Sequence, residues 1–188
     1  MKRPICLFIT VILLALPVFC FAAADARINN VRVAPVNGSG AVSVSFSVSD
    51  AFTKEIDDAI KSGLATSFTF RVEVERKNTL WFDHNEADVR FRHTVKYDTL
   101  RDEYNLTLDE AANTVERTKD AVSMKELMSV CNGVVLRPQA GFVKGENYEI
   151  RIKAELHTIK LPMGLDYVLF FVKLWDFETD WHTVIFSP

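Results

Sequence analysis

Alternation of apolar and polar residues, repeated in five separate stretches, constrains this chain more than any other feature of its sequence. In AVSVSFSVS, residues Val42, Val44, Phe46 and Val48 share one face and Ser43, Ser45, Ser47 and Ser49 the other. FTFRVEVER sets Phe68, Phe70, Val72 and Val74 against Thr69, Arg71, Glu73 and Glu75. VRFRHTVKY points Val89, Phe91, His93, Val95 and Tyr97 one way; Tyr104, Leu106 and Leu108 repeat the pattern, as do Tyr148, Ile150, Ile152, Ala154 and Leu156. A period of two places alternate side chains on opposite faces of a strand. One greasy and one wet face mark antiparallel sheet rather than the buried parallel sheet of βαβ proteins. The pattern predicts a mainly β chain: an antiparallel two-layer β-sandwich-like domain of six to eight strands with two short helices.

The predicted pairing is specific. If the chain reverses near Phe82 and Asp83, Glu73 falls opposite Arg92 and Glu75 opposite Arg90, joining opposite charges across a hairpin. The first helix is marked by Phe52, Ile56 and Ile60 at a spacing of four, with Asp50 or Thr53 as cap and Gly63 as stop. The second is predicted to start at Ser123, with Glu126 completing a capping box, Met124, Leu127 and Met128 facing inward and Gly133 ending it. Between Asp109 and Ala121 the chain is polar and compatible with helix or loop. Tyr167 to Val172 is a dense apolar block too short to cross a bilayer, compatible with a buried element or with a surface resting on a membrane or partner. A last strand is expected from Trp181 to Phe186.

The N-terminus has a different character. Met1-Lys2-Arg3-Pro4 precedes an apolar run from Ile5 to Ala24 that ends in small residues, the three parts of a secretory signal. Residues 1–24 are expected to be a signal peptide cut between Ala24 and Asp25, leaving one extracytoplasmic domain over 25–188. The run is also long enough to stay as an inner-membrane anchor. Pro17, Val18 and Phe19 before Cys20 do not suit a lipoprotein signal. Either way the domain is expected in the periplasm or outside the cytoplasm. Loss of Lys2 and Arg3 takes the net charge from −3 to −5, and Cys131 becomes the sole cysteine, so no internal disulfide can form. A mildly acidic domain with scattered charge excludes nucleic acid as the expected partner.

The chain resembles the exported bacterial proteins grouped as domain of unknown function 4390. The residues that carry the resemblance are Ser62-Gly63, FTFRVEVER, Trp81-Phe82, Lys96-Tyr97-Asp98-Thr99-Leu100 leading to Tyr104, Leu161-Pro162, and WDFETDW from Trp175 to Trp181. The resemblance implies export and, from frequent gene neighbourhood with two-component sensor kinases, a role in the envelope. It implies no catalytic residues and no cofactor.

Chemistry-bearing residues are sparse. His84, Glu86 and His93 have the donor types of a zinc-like site, as a metal-assisted hydrolase would need. However, His84 and Glu86 fall in an expected turn, and His93 alternates into the core. Cys131 reads as a buried structural thiol. Trp81, Phe82, Trp175, Phe177 and Trp181 gather at turns and strand ends, where aromatics either cap a core or build a recognition surface. The expected function is a non-catalytic envelope binding or accessory module that contacts a protein partner or membrane surface, an exposed strand edge being the natural docking point. The alternatives are the hydrolase and a carrier of an apolar ligand between the sheets. No cofactor is expected.

Overall fold

The computed structural model describes residues 26–77, 84–111, 114–138, 140–158 and 177–188. The leader, the Tyr167–Val172 block, Trp81, Phe82 and Trp175 lie outside the described residues. Two antiparallel sheets face each other. The smaller has the order β1 (Arg27–Val36), β2 (Ala41–Ser49), β7 (Val130–Leu136). The larger runs β6 (Thr114–Thr118), β5 (Glu103–Leu108), β4 (His84–Asp98), β3 (Thr66–Arg76), β8 (Tyr148–Thr158), β9 (His182–Phe186). The architecture is the mainly β, sandwich-like one that the alternation predicts, with two short helices, α1 (Lys54–Lys61) and α2 (Ala121–Ser129).

The apolar faces meet where alternation places them. Phe46 of the small sheet meets Phe70 of the large one edge-on at 5.7 Å, and Phe70 stacks on Phe91 at 5.1 Å. Val44, Val72, Val74, Ile150 and Ile152 are fully buried. Burying a side chain of this size contributes roughly 1.5–3 kcal/mol, so the alternating residues supply most of the cohesion.

Helix α1 follows its sequence signals. The Thr53 side chain accepts from the Ile56 N–H, Ile56 and Ile60 are buried, and Gly63 turns the chain at φ 87°. Helix α2 departs from expectation at both ends. Asp120, not Ser123, is its N-cap; its Oδ2 accepts from the Ser123 N–H and hydroxyl, each at 2.8 Å. Nor does Gly133 stop it. The helix passes directly into β7 at Val130, and Gly133 sits within that strand at φ 72°. There the pairing with β2 shifts register, and the Gly133 N–H donates to Ser45 Oγ at 3.0 Å. A bulge leaves a donor without a ladder partner, and the serine on the outer face of β2 satisfies it. A second irregularity, at Asn29–Arg32 of β1, is tied through side chains: the Asn29 and Asn30 amides donate to the hydroxyls of Ser49 and Ser47.

Strands β3 and β4 are hairpin neighbours, as expected, but their register is not the expected one. Glu73 lies opposite Asp88 and Glu75 opposite Asn85, while Arg90 faces Arg71 and Arg92 faces Thr69. Through Val74 the expected and observed registers differ by four residues, an even number, so both turn the same side chains inward; past the irregularity at Val74/Glu75 the difference is five. Alternation determines parity; the turn determines the register. The polar span after Asp109 resolves into a 3₁₀ turn (Asp109–Ala111), edge strand β6 and the start of α2.

Candidate functional site

The three residues with metal-ligand chemistry are not brought together. His84 begins β4 opposite Arg76, and His93 lies nine residues further along the same strand, about 30 Å away at strand rise. Glu86 occupies the irregularity between Ala87 and Asn85 and contacts Arg76, Nε to Oε1 at 3.0 Å, with the N–H not aimed along the contact. Among the described residues no three His, Cys, Asp or Glu side chains gather as metal ligands.

His93 is instead a fully buried link among three elements. Its Nδ1 lies 3.1 Å from the Met128 carbonyl at the end of α2. A carbonyl only accepts, so Nδ1 carries a proton. Its Nε2 lies 2.6 Å from Glu110 Oε2 in the 3₁₀ turn. One further proton is shared there, either as imidazolium against carboxylate or as imidazole accepting from carboxylic acid. Both nitrogens are spent on hydrogen bonds, leaving neither free to ligate or to act as a base on a substrate. Cys131 is buried nearby; loss of solvent and then the Glu110 charge push its thiol well above the ordinary range. A nucleophilic cysteine needs the opposite shift. This cluster fastens α2, the 3₁₀ turn and β4 together.

The aromatic set divides. Phe177 packs half-buried against the core: its ring meets Phe68 at 5.8 Å, and its carbonyl accepts from the Leu156 N–H at 2.8 Å. Thr179 continues the pairing, donating its N–H to the Ala154 carbonyl at 2.9 Å and accepting from the Ala154 N–H at 3.1 Å. Pinned this way beside β8, the chain delivers Trp181 to the outer face of the large sheet, immediately before β9.

There the half-buried indole is ringed by three cations: the Arg151 guanidinium 4.5 Å from the ring centre, Lys153 Nζ at 5.3 Å and the Arg71 guanidinium at 5.6 Å. Cations within about 6 Å of an indole are attracted by its negative face. Acids hold the cations in turn. Arg71 donates to Glu73 at 2.7 Å, Arg151 donates to Glu75 at 2.5 Å, and Lys153 pairs with Glu178. Glu73 is only 7% exposed, lying between Arg71 and Arg151. Buried charge survives only when paired, and here the pairing aligns both guanidiniums beside the indole. Register makes this site: Arg90, Arg71 and Lys153 stand directly across from one another on β4, β3 and β8. The sequence marks Trp181 as an aromatic at a strand end. Nothing in it marks Arg71, Glu73, Arg151 or Lys153, which alternation identifies only as outward-facing.

No curated protein and no solved structure matches the chain. A family model does, over residues 23–185, nearly the whole sequence and all but the last three residues of the described domain. The chain belongs to the family described as domain of unknown function (DUF4390).

Proposed function

We propose that this chain is a non-catalytic binding module of the bacterial envelope, exported by its leader, that takes an extended segment of a protein partner along β9 with Trp181 as the anchor. The observation that carries this reading is the indole held among Arg71, Arg151 and Lys153 on an outer sheet face. Tryptophan and arginine are the residues most enriched where interfaces concentrate their energy, and rigid ones lose little freedom on binding. The neighbouring strand supports it. β9 is an edge of the large sheet among the described residues, and its outward Ile185 is 74% exposed. A strand added to that edge gains backbone hydrogen bonds and lies beside Ile185, and the indole stands on the same outer face above β8, where side chains of the added segment reach across β9 to it. The interleaved charges of both signs suit a protein surface better than an anionic bilayer.

A photoreactive phenylalanine analogue at Thr183, tested in intact cells, should give one discrete protein adduct. Trp181→Ala should remove it while the domain stays folded, and the same probe at Arg117 on β6, the opposite edge, should not give it. Adducts to lipid alone, or an adduct indifferent to Trp181→Ala, would overturn the reading.

A further inference from the structure

Asparagine stands directly before glycine at Asn37-Gly38 and at Asn132-Gly133. The pair has a chemistry of its own. The backbone nitrogen of the following residue can attack the asparagine Cγ. The new C–N bond closes a cyclic imide, the N–H proton is lost, and the side-chain nitrogen leaves as ammonia. Water then opens the imide at either carbonyl, giving aspartate or isoaspartate. Glycine hinders this least, since it has no Cβ and its backbone turns most freely. Asparagine is for this reason among the thermolabile residues.

The fold treats the two pairs differently. Both asparagines are exposed, so access to water does not separate them. Asn37 and Gly38 lie in the turn joining β1 to β2, with Gly38 at φ 72°. Ser39 holds that turn, its N–H and its hydroxyl donating to the Val36 carbonyl at 3.2 and 2.8 Å. Among the described residues nothing bonds the Asn37 side chain or the Gly38 N–H. A Cβ on Gly38 would meet nothing within 4 Å, so the space around the peptide is open. Asn132 and Gly133 lie instead inside β7. The Gly133 N–H, the group that would attack, donates to Ser45 Oγ at 3.0 Å, and Cys131 and Val134 on either side pair with Phe46 and Val44. Rotating that peptide gives up the bond to Ser45 and disturbs the ladder around it.

We propose that Asn37 is a site of spontaneous deamidation in the folded protein, and that the bulge in β7 protects Asn132 from the same reaction. The consequence is local to the β1–β2 hairpin. Either product places a carboxylate in a turn that has none. Isoaspartate also routes the main chain through the former side chain, which adds a carbon to the turn. That turn approaches a second one closely: a Cβ on Gly40 would lie 4.0 Å from Gly141 Cα. The site is separate from the Trp181 platform, since β1 and β2 belong to the small sheet.

The test is peptide mapping of the folded protein aged at mildly alkaline pH, with isoaspartate labelled by an isoaspartyl methyltransferase. Asn37 should convert at least about tenfold faster than Asn132, the factor to which one or two hydrogen bonds given up in β7 correspond. In urea, where the fold no longer separates them, the two rates should converge. Ser45→Ala should speed conversion of Asn132 several-fold and leave Asn37 unchanged. No product at Asn37, equal rates in the folded protein, a ratio that persists in urea, or an Asn132 still as slow in Ser45→Ala would overturn the proposal.

Discussion

Strands β3, β4 and β8 carry two clusters of charged and polar groups, one beneath the large sheet and one above it. Beneath, His93 and Glu110 share a proton inside the core, with His93 wedged against Phe70 at 4.9 Å and Phe91 at 5.8 Å. Above, Glu73, Glu75, Arg71 and Arg151 lie under and around the indole in partial contact with water. Similar chemistry in two dielectric settings does different work. The inner pair cannot exchange partners without a large penalty, so it fastens elements. The outer cluster is partly open to water, so on the proposed function it would trade its ion pairs for those of an incoming chain. Substitutions should therefore separate the two, with stability responding mainly to the first and binding to the second.

The inner pair should give the largest effect. Removing one member of a buried pair strands the other, typically at about 3–5 kcal/mol. His93→Leu should lower unfolding stability in urea by about that amount. Glu110→Gln keeps a hydrogen-bonding group toward Nε2 and should cost less, about 1–2 kcal/mol. Replacing both together, His93→Leu with Glu110→Leu, should recover much of the loss. If His93→Leu changes stability no more than a surface substitution does, the cluster is not the fastening described.

The outer cluster should respond less, and the observed register says which rescue works. Glu73→Lys with Glu75→Lys places cations beside Arg71 and Arg151 and should destabilise by about 1–3 kcal/mol, mostly through the nearly buried Glu73. Adding Arg151→Glu should restore part of it, because Arg151 contacts both acids. Adding Arg90→Glu and Arg92→Glu, the partners suggested by sequence, should restore little, since these face Arg71 and Thr69 instead. Chemical denaturation of the three variants distinguishes the registers.

That contrast shows what was legible in the sequence. Inner and outer faces of β2, β3, β4 and β8 were readable because each alternates over many residues, and burial energy enforces the parity. β1 was not: Asn29-Asn30 interrupts its alternation where the pairing shifts, and Pro35 lies near its end. β6 escaped notice as a short polar edge strand, Thr114–Thr118, whose Val115 points to water. β7 was hidden because Gly133, readable as a helix stop, serves a bulge inside a strand. Alternation places His93 in the core but does not name its partners, since Glu110 reaches it from a 3₁₀ turn and Met128 from helix α2. The Trp181 cluster was half legible. Its aromatic stands out locally, whereas Arg71 and Arg151 come from strands distant in sequence and meet only through register.

The smallest expected effect extends the comparison to a hydrogen bond at the surface, in the turn that follows β4. The hydrogen bond from Tyr97 to Asp102, assisted by the charge of that carboxylate, pushes the Tyr97 phenol up to about 12 from its ordinary 10.0. The bond holds only while the phenol is protonated. A phenol raised in the folded state stabilises that state fully below the unfolded value of 10.0, and the contribution fades as pH rises toward about 12. The group is open to water, so the consequence for global stability is slight and the signal is local. Spectrophotometric titration should show one tyrosine ionising late, and Asp102→Asn should return it toward 10.0 with almost no change in melting at neutral pH. If Asp102→Asn instead destabilised the domain as much as His93→Leu, burial would not be what separates the fastening pairs from those at the surface. The division between the two faces of the sheet would then need another cause.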